Sequence, residues 1–347
     1  CYMDGNGVEQ DQEKAFQYFQ KASEAGDESA MFNLADCYFN GLGTEQSEEQ
    51  AVPWYQKAAE ANISIAQYML GTCYHFGKGV SPNEELALHW LRKAAEQDYV
   101  GAQYALGTLL FRNEDSGEND AEAVRWLERA AELGDIGSQV KLGVCYQDGY
   151  NVLEQGKVCF KEDMEKAVEL FQNAAEQGDA EGQFQLANSY RFGLGVKKNV
   201  PKMLYWLRLS AMQGYAEAQY ALGICYQDGI GVKADIEKAM DWYERSAAQN
   251  YPDAICSVGM YYLDEEDDVE TAKRLVYKAA QMDCLEAQYL MGMFLYEGDD
   301  SEEDEEAVAW FRMAARYQNH GGAMGMLGYC YMNGTGVEQD DEMARGW

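Results

Sequence analysis

The feature that most constrains this fold is a period of 36 residues. Aligned on a small residue at its head, the chain reads AMFNLADCYFNGLG from Ala30, AQYMLGTCYHFGKG from Ala66, AQYALGTLLF from Ala102, SQVKLGVCYQDG from Ser138, GQFQLANSYRFGLG from Gly182, AQYALGICYQDGIG from Ala218, AICSVGMYYL from Ala254, AQYLMGMFLY from Ala287 and AMGMLGYCYMNGTG from Ala323. Six of the eight steps are 36 residues; the unit at Ser138 is eight longer and that at Ala254 three shorter. A chain of 347 residues has room for two or three ordinary domains. Self-similarity at this spacing overrides that expectation, because it marks stacked repeats that bury their apolar faces only against neighbours.

Each unit has a second half that reads A-x-x-W, and all seven tryptophans fall on it, at Trp54, Trp90, Trp126, Trp206, Trp242, Trp310 and Trp347. Tyr18, Leu170 and Leu275 take the position in the other units, and small pairs such as Ala58-Ala59 and Ala94-Ala95 follow. Apolar and small residues at i, i+3, i+4, i+7 and i+8 in both halves predict two amphipathic helices per unit, helix A and then helix B, with the tryptophans as core anchors. Asp11, Ser47, Asn83, Asn119, Asp163, Asn199, Asp235, Asp268 and Asp340 stand four residues before the alanine position and predict the N-caps of helix B. Acids such as Glu13, Glu49, Glu85, Glu165 and Glu237 follow in the first turn, where the helix dipole favours them.

A Gly-x-Gly pair recurs at Gly5-Gly7, Gly41-Gly43, Gly77-Gly79, Gly193-Gly195, Gly229-Gly231 and Gly334-Gly336. A phosphate loop occurs once per site, so this pair is read as punctuation: the first glycine ends helix A in the left-handed conformation, and the second makes the turn.

The succession A-x-x-x-L-G-x-x-Y, G-x-G-V and K-A-x-x-W-x-x-x-A-A resembles the Sel-1-like repeat, a relative of the tetratricopeptide repeat. The resemblance implies an all-α fold, an α/α superhelical solenoid of stacked helix-turn-helix repeats. It implies a single solenoid over 1–347, with eight full repeats between 30 and 322 and partial repeats at 1–29 and 323–347. Both ends fall inside a unit, so the chain is expected to be a piece of something longer. Members act as adaptors and scaffolds, which implies the same role here. One secreted, disulfide-stapled branch is linked to penicillin binding and β-lactam hydrolysis. Helix B to helix A turns such as Ala174 to Gln183 carry no cysteine, so neither that staple nor that activity is carried over.

Against 60 acidic residues stand 27 basic ones, a formal charge of −33, which opposes binding to nucleic acid or anionic lipid. No apolar run is long enough to span a membrane. Cys1, Cys37, Cys73, Cys145, Cys225 and Cys330 share one position before the helix-A tyrosine; about 10 Å of translation separates successive units, too far for a disulfide, so these are expected to be small core residues. Cys256 and Cys284 are the pair that antiparallel helices could bring together. His75, His89 and His320 have no partner at metal or triad spacing. The acid runs 264–268 and 299–306 lack the calcium-loop pattern and are read as solvated loops. No catalytic, cofactor-binding or metal-binding residue is assigned.

By helical spacing, the second, sixth, ninth and tenth positions after the head of helix A form a stripe apart from the stacking face. It holds Phe32, Phe39, Tyr68, Phe76, Tyr104, Phe111, Phe184, Phe192, Tyr220 and Tyr289. Such a stripe in acidic surroundings suits a protein or peptide partner with basic and apolar residues; packing between adjacent helices is the competing reading. The apolar insertion at 150–160 is a second candidate contact. The leading expectation is a non-enzymatic interaction scaffold. The alternatives are an envelope-associated or secreted regulatory module and, last, a hydrolase of the cysteine-rich branch, for which no S-x-x-K motif is present.

Overall fold

A computed structural model describes residues 2–3, 5–111, 117–148, 163–264, 267–297, 303–316 and 320–347. The insertion at 150–160, Cys1, Cys159 and parts of both acid runs lie outside the described residues. The chain forms two compact units, 1–177 and 178–347. The first contains α1 (Gln12–Glu24), α2 (Glu28–Asn40), α3 (Glu48–Glu60), α4 (Ser64–Phe76), α5 (Glu84–Glu96), α6 (Val100–Leu110), α7 (Gly117–Glu132), α8 (Ile136–Asp148) and α9 (Met164–Glu176). The second contains α10 (Ala180–Phe192), α11 (Val200–Met212), α12 (Ala216–Asp228), α13 (Ile236–Ala248), α14 (Pro252–Asp264), α15 (Val269–Gln281), α16 (Leu285–Tyr296), α17 (Asp304–Ala315), α18 (Gly321–Asn333) and α19 (Asp341–Gly346). Within each unit consecutive helices pack against one another, so the predicted alternation of helix A and helix B holds throughout.

The caps follow the sequence. Asp11, Ser47, Asn83, Asp163, Asn199, Asp235, Asp268 and Asp340 each accept a backbone N–H from the first turn of helix B. Asn119 does not hold its expected place, because α7 begins at Gly117 and takes Asn119 inside the helix. The acid run read as a loop also proves partly helical: Asp304, Glu305 and Glu306 make the first turn of α17.

The glycine pair is structural. Gly41, Gly77, Gly193, Gly229 and Gly334 close helix A with φ between 70° and 78°. The second glycine also has positive φ, and at Gly43, Gly79 and Gly336 a Cβ would overlap the backbone of the preceding helix B, at Gln12, Glu48 and Asp304. Both conformation and close approach therefore require glycine there.

The tryptophan position is not the deepest one. Of the seven, only Trp90 is buried, while from α3 to α17 the residue after the A-x-x-W position, Tyr55, Leu91, Leu127, Phe171, Leu207, Tyr243, Val276 or Phe311, is buried almost completely. The glycine of L-G explains this. A Cβ on Gly71 would lie 2.8 Å from Leu91, on Gly107 2.7 Å from Leu127, and on Gly292 2.5 Å from Phe311, so helix A is hollowed where that side chain enters. The half-buried indoles instead lie along the helix-B surface under a cation three residues on: Lys57 over Trp54, Lys93 over Trp90, Arg129 over Trp126 and Arg245 over Trp242.

A run of buried glutamines crosses the repeats. Gln67 donates to the Ala59 carbonyl at 3.0 Å and accepts from Gln97 at 2.7 Å. The same bonds recur as Gln177 to Gln139, Gln213 to Gln183 and Gln249 to Gln219, at 3.1, 2.9 and 2.9 Å. Nothing in the sequence reading had singled these glutamines out, although their recurrence beside the head residue was visible.

Candidate functional site

The helix-A stripe separates into two kinds of position. Rings two residues after the head are wedged against the start of the next helix pair. Tyr68 lies 5.1 Å from Tyr99, Phe184 5.4 Å from Tyr215, and Tyr220 5.6 Å from Tyr243 and 5.3 Å from Tyr251. Phe32 packs on Tyr55 at 5.9 Å, and Tyr104 lies over Gly137, where a Cβ would meet its ring at 2.9 Å. Burial holds the phenols of Tyr99, Tyr215, Tyr220 and Tyr251 above their ordinary value, as expected for rings in a low-dielectric seam. For these residues packing between units accounts for part of the aromatic pattern.

Rings ten residues after the head stand free of that seam. Phe76 is 65% exposed and Phe192 53% exposed, each at the last position of its helix. Phe111 caps α6 and is half-buried against the core formed by Leu106, Leu109 and Leu110.

Tyr68, Phe76 and Tyr104 converge around one recess of about 340 Å³ between α4 and α6, with Thr72, His75, Leu91, Ala105, Thr108 and Leu109 completing the lining. On α4 the lining residues are 68, 72, 75 and 76, the i, i+4, i+7, i+8 set of one face, so Thr72 and His75 could have been added from spacing alone. His75 meets Phe76 edge-on at 4.5 Å. Phe32 and Phe111 lie elsewhere in the first unit, and Phe184, Phe192 and Tyr220 belong to the second.

The remaining reactive side chains are placed structurally. Cys37, Cys73, Cys145, Cys225 and Cys330 are buried thiols, and burial pushes the Cys37 and Cys73 thiols up to about 11. Cys284 caps α16 in a helix B to helix A turn, so this turn, unlike the one at 174–183, does carry a cysteine. Cys256 and Cys284 are unbridged buried thiols joined by a hydrogen bond, which with burial raises Cys256. His320 caps α18, its Nδ1 accepting from Ala323 N–H at 3.0 Å while Nε2 faces Glu286 at 3.0 Å. Among the described residues no cluster of His, Cys, Asp and Glu could hold a metal, and no helix is long and apolar enough to cross a membrane.

Comparison with known proteins agrees with the repeat architecture. The family described as Sel1 repeat matches residues 1–27, 28–63, 64–99, 100–135, 136–179, 180–215, 216–251, 285–316 and 322–347. A protective antigen of uropathogenic Escherichia coli with an SLR fold, c5321, is similar at 31% identity and TM-score 0.71, over 100% of this chain and 73% of that one. A Sel1 repeat protein from Oxalobacter formigenes is similar at 31% identity and TM-score 0.62, over 71% of this chain and 94% of that one. No curated protein matches the chain. Repeat matches along most of the sequence and two solved relatives at this identity place the chain in the Sel1 repeat family, whose stacked helix pairs commonly mediate contacts between proteins.

Proposed function

We propose that the protein is a non-enzymatic scaffold or adaptor that holds a peptide or protein segment bearing basic and apolar side chains on its helix-A face. The observation that supports this most is the recess where Tyr68, Phe76 and Tyr104 converge. Aromatic rings fixed by packed helices offer contact area at little ordering cost, and Phe76 is exposed without a structural need to be. A formal charge of −33 makes a cationic segment the complementary partner. Phe32, Phe111, Phe184, Phe192 and Tyr220 extend the contact as flanking positions. A scaffold is favoured over a hydrolase by the usual role of the family and by a recess whose threonine hydroxyls, Thr72 and Thr108, donate to the Met69 and Tyr104 carbonyls rather than to His75.

A fluorescein-labelled peptide alternating Lys or Arg with Leu or Phe provides the test. It should bind with an association rate that falls steeply with salt, and Phe76→Ser should weaken it about tenfold while leaving helical circular dichroism unchanged. Undiminished binding by Phe76→Ser removes the recess as the site.

A further inference from the structure

One helix pair departs from the charge of the whole chain. Between Glu181 and Glu217 there is no carboxylate, while Arg191, Lys197, Lys198, Lys202 and Arg208 fall inside the interval. None of these five cations is in an ion pair among the described residues, and Lys202 donates to the Tyr190 hydroxyl at 3.2 Å rather than to a carboxylate.

The outer face of α11 has changed in the same place. The position six residues beyond A-x-x-W is Glu24, Glu60, Glu96, Glu132 and Glu176 in five other units, all exposed; in α11 it is Met212, 77% exposed. Three residues beyond A-x-x-W stand Lys57, Lys93, Arg129 and Arg245, the cations over their indoles, and here stands Leu209. The residue before Trp206 is Tyr205, 58% exposed, where α13 has Asp241. Pro201, Tyr205, Arg208 and Met212 are spaced i, i+4, i+7, i+11 and make one outward stripe. Val200, Pro201, Leu204, Tyr205, Arg208 and Leu209 line a recess of about 610 Å³ over Gly231.

Stability of the repeat does not call for this face, because several units fold with charged residues there: Arg125 and Glu169 at the Tyr205 position, Lys57 and Lys93 at that of Leu209, Glu60 and Glu96 at that of Met212. Apolar surface with Arg208 in its lining, and with Lys198 and Lys202 at the start of the same helix, is what an acidic, apolar ligand fits, and it is the reverse of what the rest of the chain offers. We propose that the outer face of α11 is a second docking surface, and that its partner is an acidic peptide segment that seats an aliphatic or aromatic side chain in the Val200–Leu209 recess and pairs its carboxylates with Lys198, Lys202 and Arg208. Together with the helix-A recess this gives an adaptor two surfaces of opposite preference.

The substitutions that test it restore residues other repeats already use, so they keep the helix: Tyr205→Asp, Leu209→Lys and Met212→Glu. The probe is a fluorescein-labelled peptide alternating Glu or Asp with Leu or Phe, with a twin in which Ser replaces the apolar residues. The first peptide should bind the wild-type chain despite its overall negative charge, and the Ser twin should not. Binding should weaken about tenfold or more in the triple variant and in Lys198→Glu/Lys202→Glu, and be unchanged in Phe76→Ser, which separates this surface from the helix-A one. Absence of binding, equal binding of the twin, or undiminished binding by both variants overturns the proposal. So does a wild-type dimer in sedimentation velocity that Met212→Glu dissolves, which would assign the face to a second copy of the chain.

Discussion

Gln97 donates from Nε2 to Oε1 of Gln67 at 2.7 Å, tying the end of helix B to the start of helix A within one repeat. The bond satisfies the carbonyl of an amide that is otherwise buried, because Gln67 spends its own N–H on Ala59. One repeat further on the corresponding acceptor is Gln103, and the residue that should donate is Leu133, 55% exposed. Gln103 Oε1 is left buried without a partner.

Leu133→Gln should therefore stabilise the protein. The gain expected for satisfying a buried carbonyl is about 1 kcal/mol, read as a higher urea midpoint, and Gln97→Leu should lose a similar amount by recreating the defect at Gln67. A Leu133→Gln midpoint at or below that of the wild type would count against the glutamine run as a source of stability.

Neighbouring aromatic residues in α17 should differ sharply. Phe311→Ala empties a fully buried site and should cost about 3–5 kcal/mol, while Trp310→Ala, on the half-buried surface, should cost less than about 2. Gly292→Ala forces a methyl into the Phe311 ring and should cost about 1–3 kcal/mol, with a second substitution Phe311→Leu recovering part of it by copying the Ala187 and Leu207 pair of another repeat. Denaturant melts of the four variants decide the matter.

Two glycines of positive φ should respond differently to asparagine. Gly134 has φ +91° and open space around it, and the equivalent residues Asn62, Asp98, Asn250 and Asp283 adopt positive φ themselves. Gly134→Asn should therefore change stability by less than about 1 kcal/mol, whereas Gly79→Asn must also displace the backbone at Glu48 and should cost more than about 2. Comparable thermal shifts for the pair would be the contrary result.

Alkaline stability should depend on the buried thiols. Cys37 and Cys73 are pushed up to about 11 when folded, from an ordinary value near 9.0. Above pH 9 the unfolded chain loses these protons and the folded chain keeps them, so the contribution is complete below about pH 9 and is lost as pH rises to about 11. Cys37→Ala/Cys73→Ala should flatten that decline in urea midpoints measured across the interval. Iodoacetamide at neutral pH should leave both thiols unmodified until the chain unfolds.

Local chemistry made much of this fold legible. Asp11, Ser47 and Asn83 announce their helices because a cap is decided within four residues, and the Gly-x-Gly pairs announce the ends in the same way. Asn119 misled because α7 starts earlier, at Gly117, and takes it inside the helix. The tryptophans misled for another reason. Burial at the helix pair is decided by which residue faces the glycine of the opposite helix, a tertiary register that an indole's size does not reveal. The helix-A stripe was legible as a face and not as a site: Tyr68 and Phe76 share that face, but Tyr68 is covered by Tyr99 from the following turn, whereas Phe76 meets its chain neighbour His75 and stays exposed.

The unpartnered Gln103 carbonyl has a consequence for how the first unit opens. In a linear array, stability is the sum of what each repeat contributes and what each junction adds, and excursions start at the weakest point. A deficit of about 1 kcal/mol between α6 and α7 lowers the stability of that repeat and makes its opening about five times more frequent than that of the repeat closed by Gln97 and Gln67. Amide protons on either side of Leu133 are thus the first of the unit's buried set to exchange with solvent, and a protease or chaperone sampling that unit meets this repeat first.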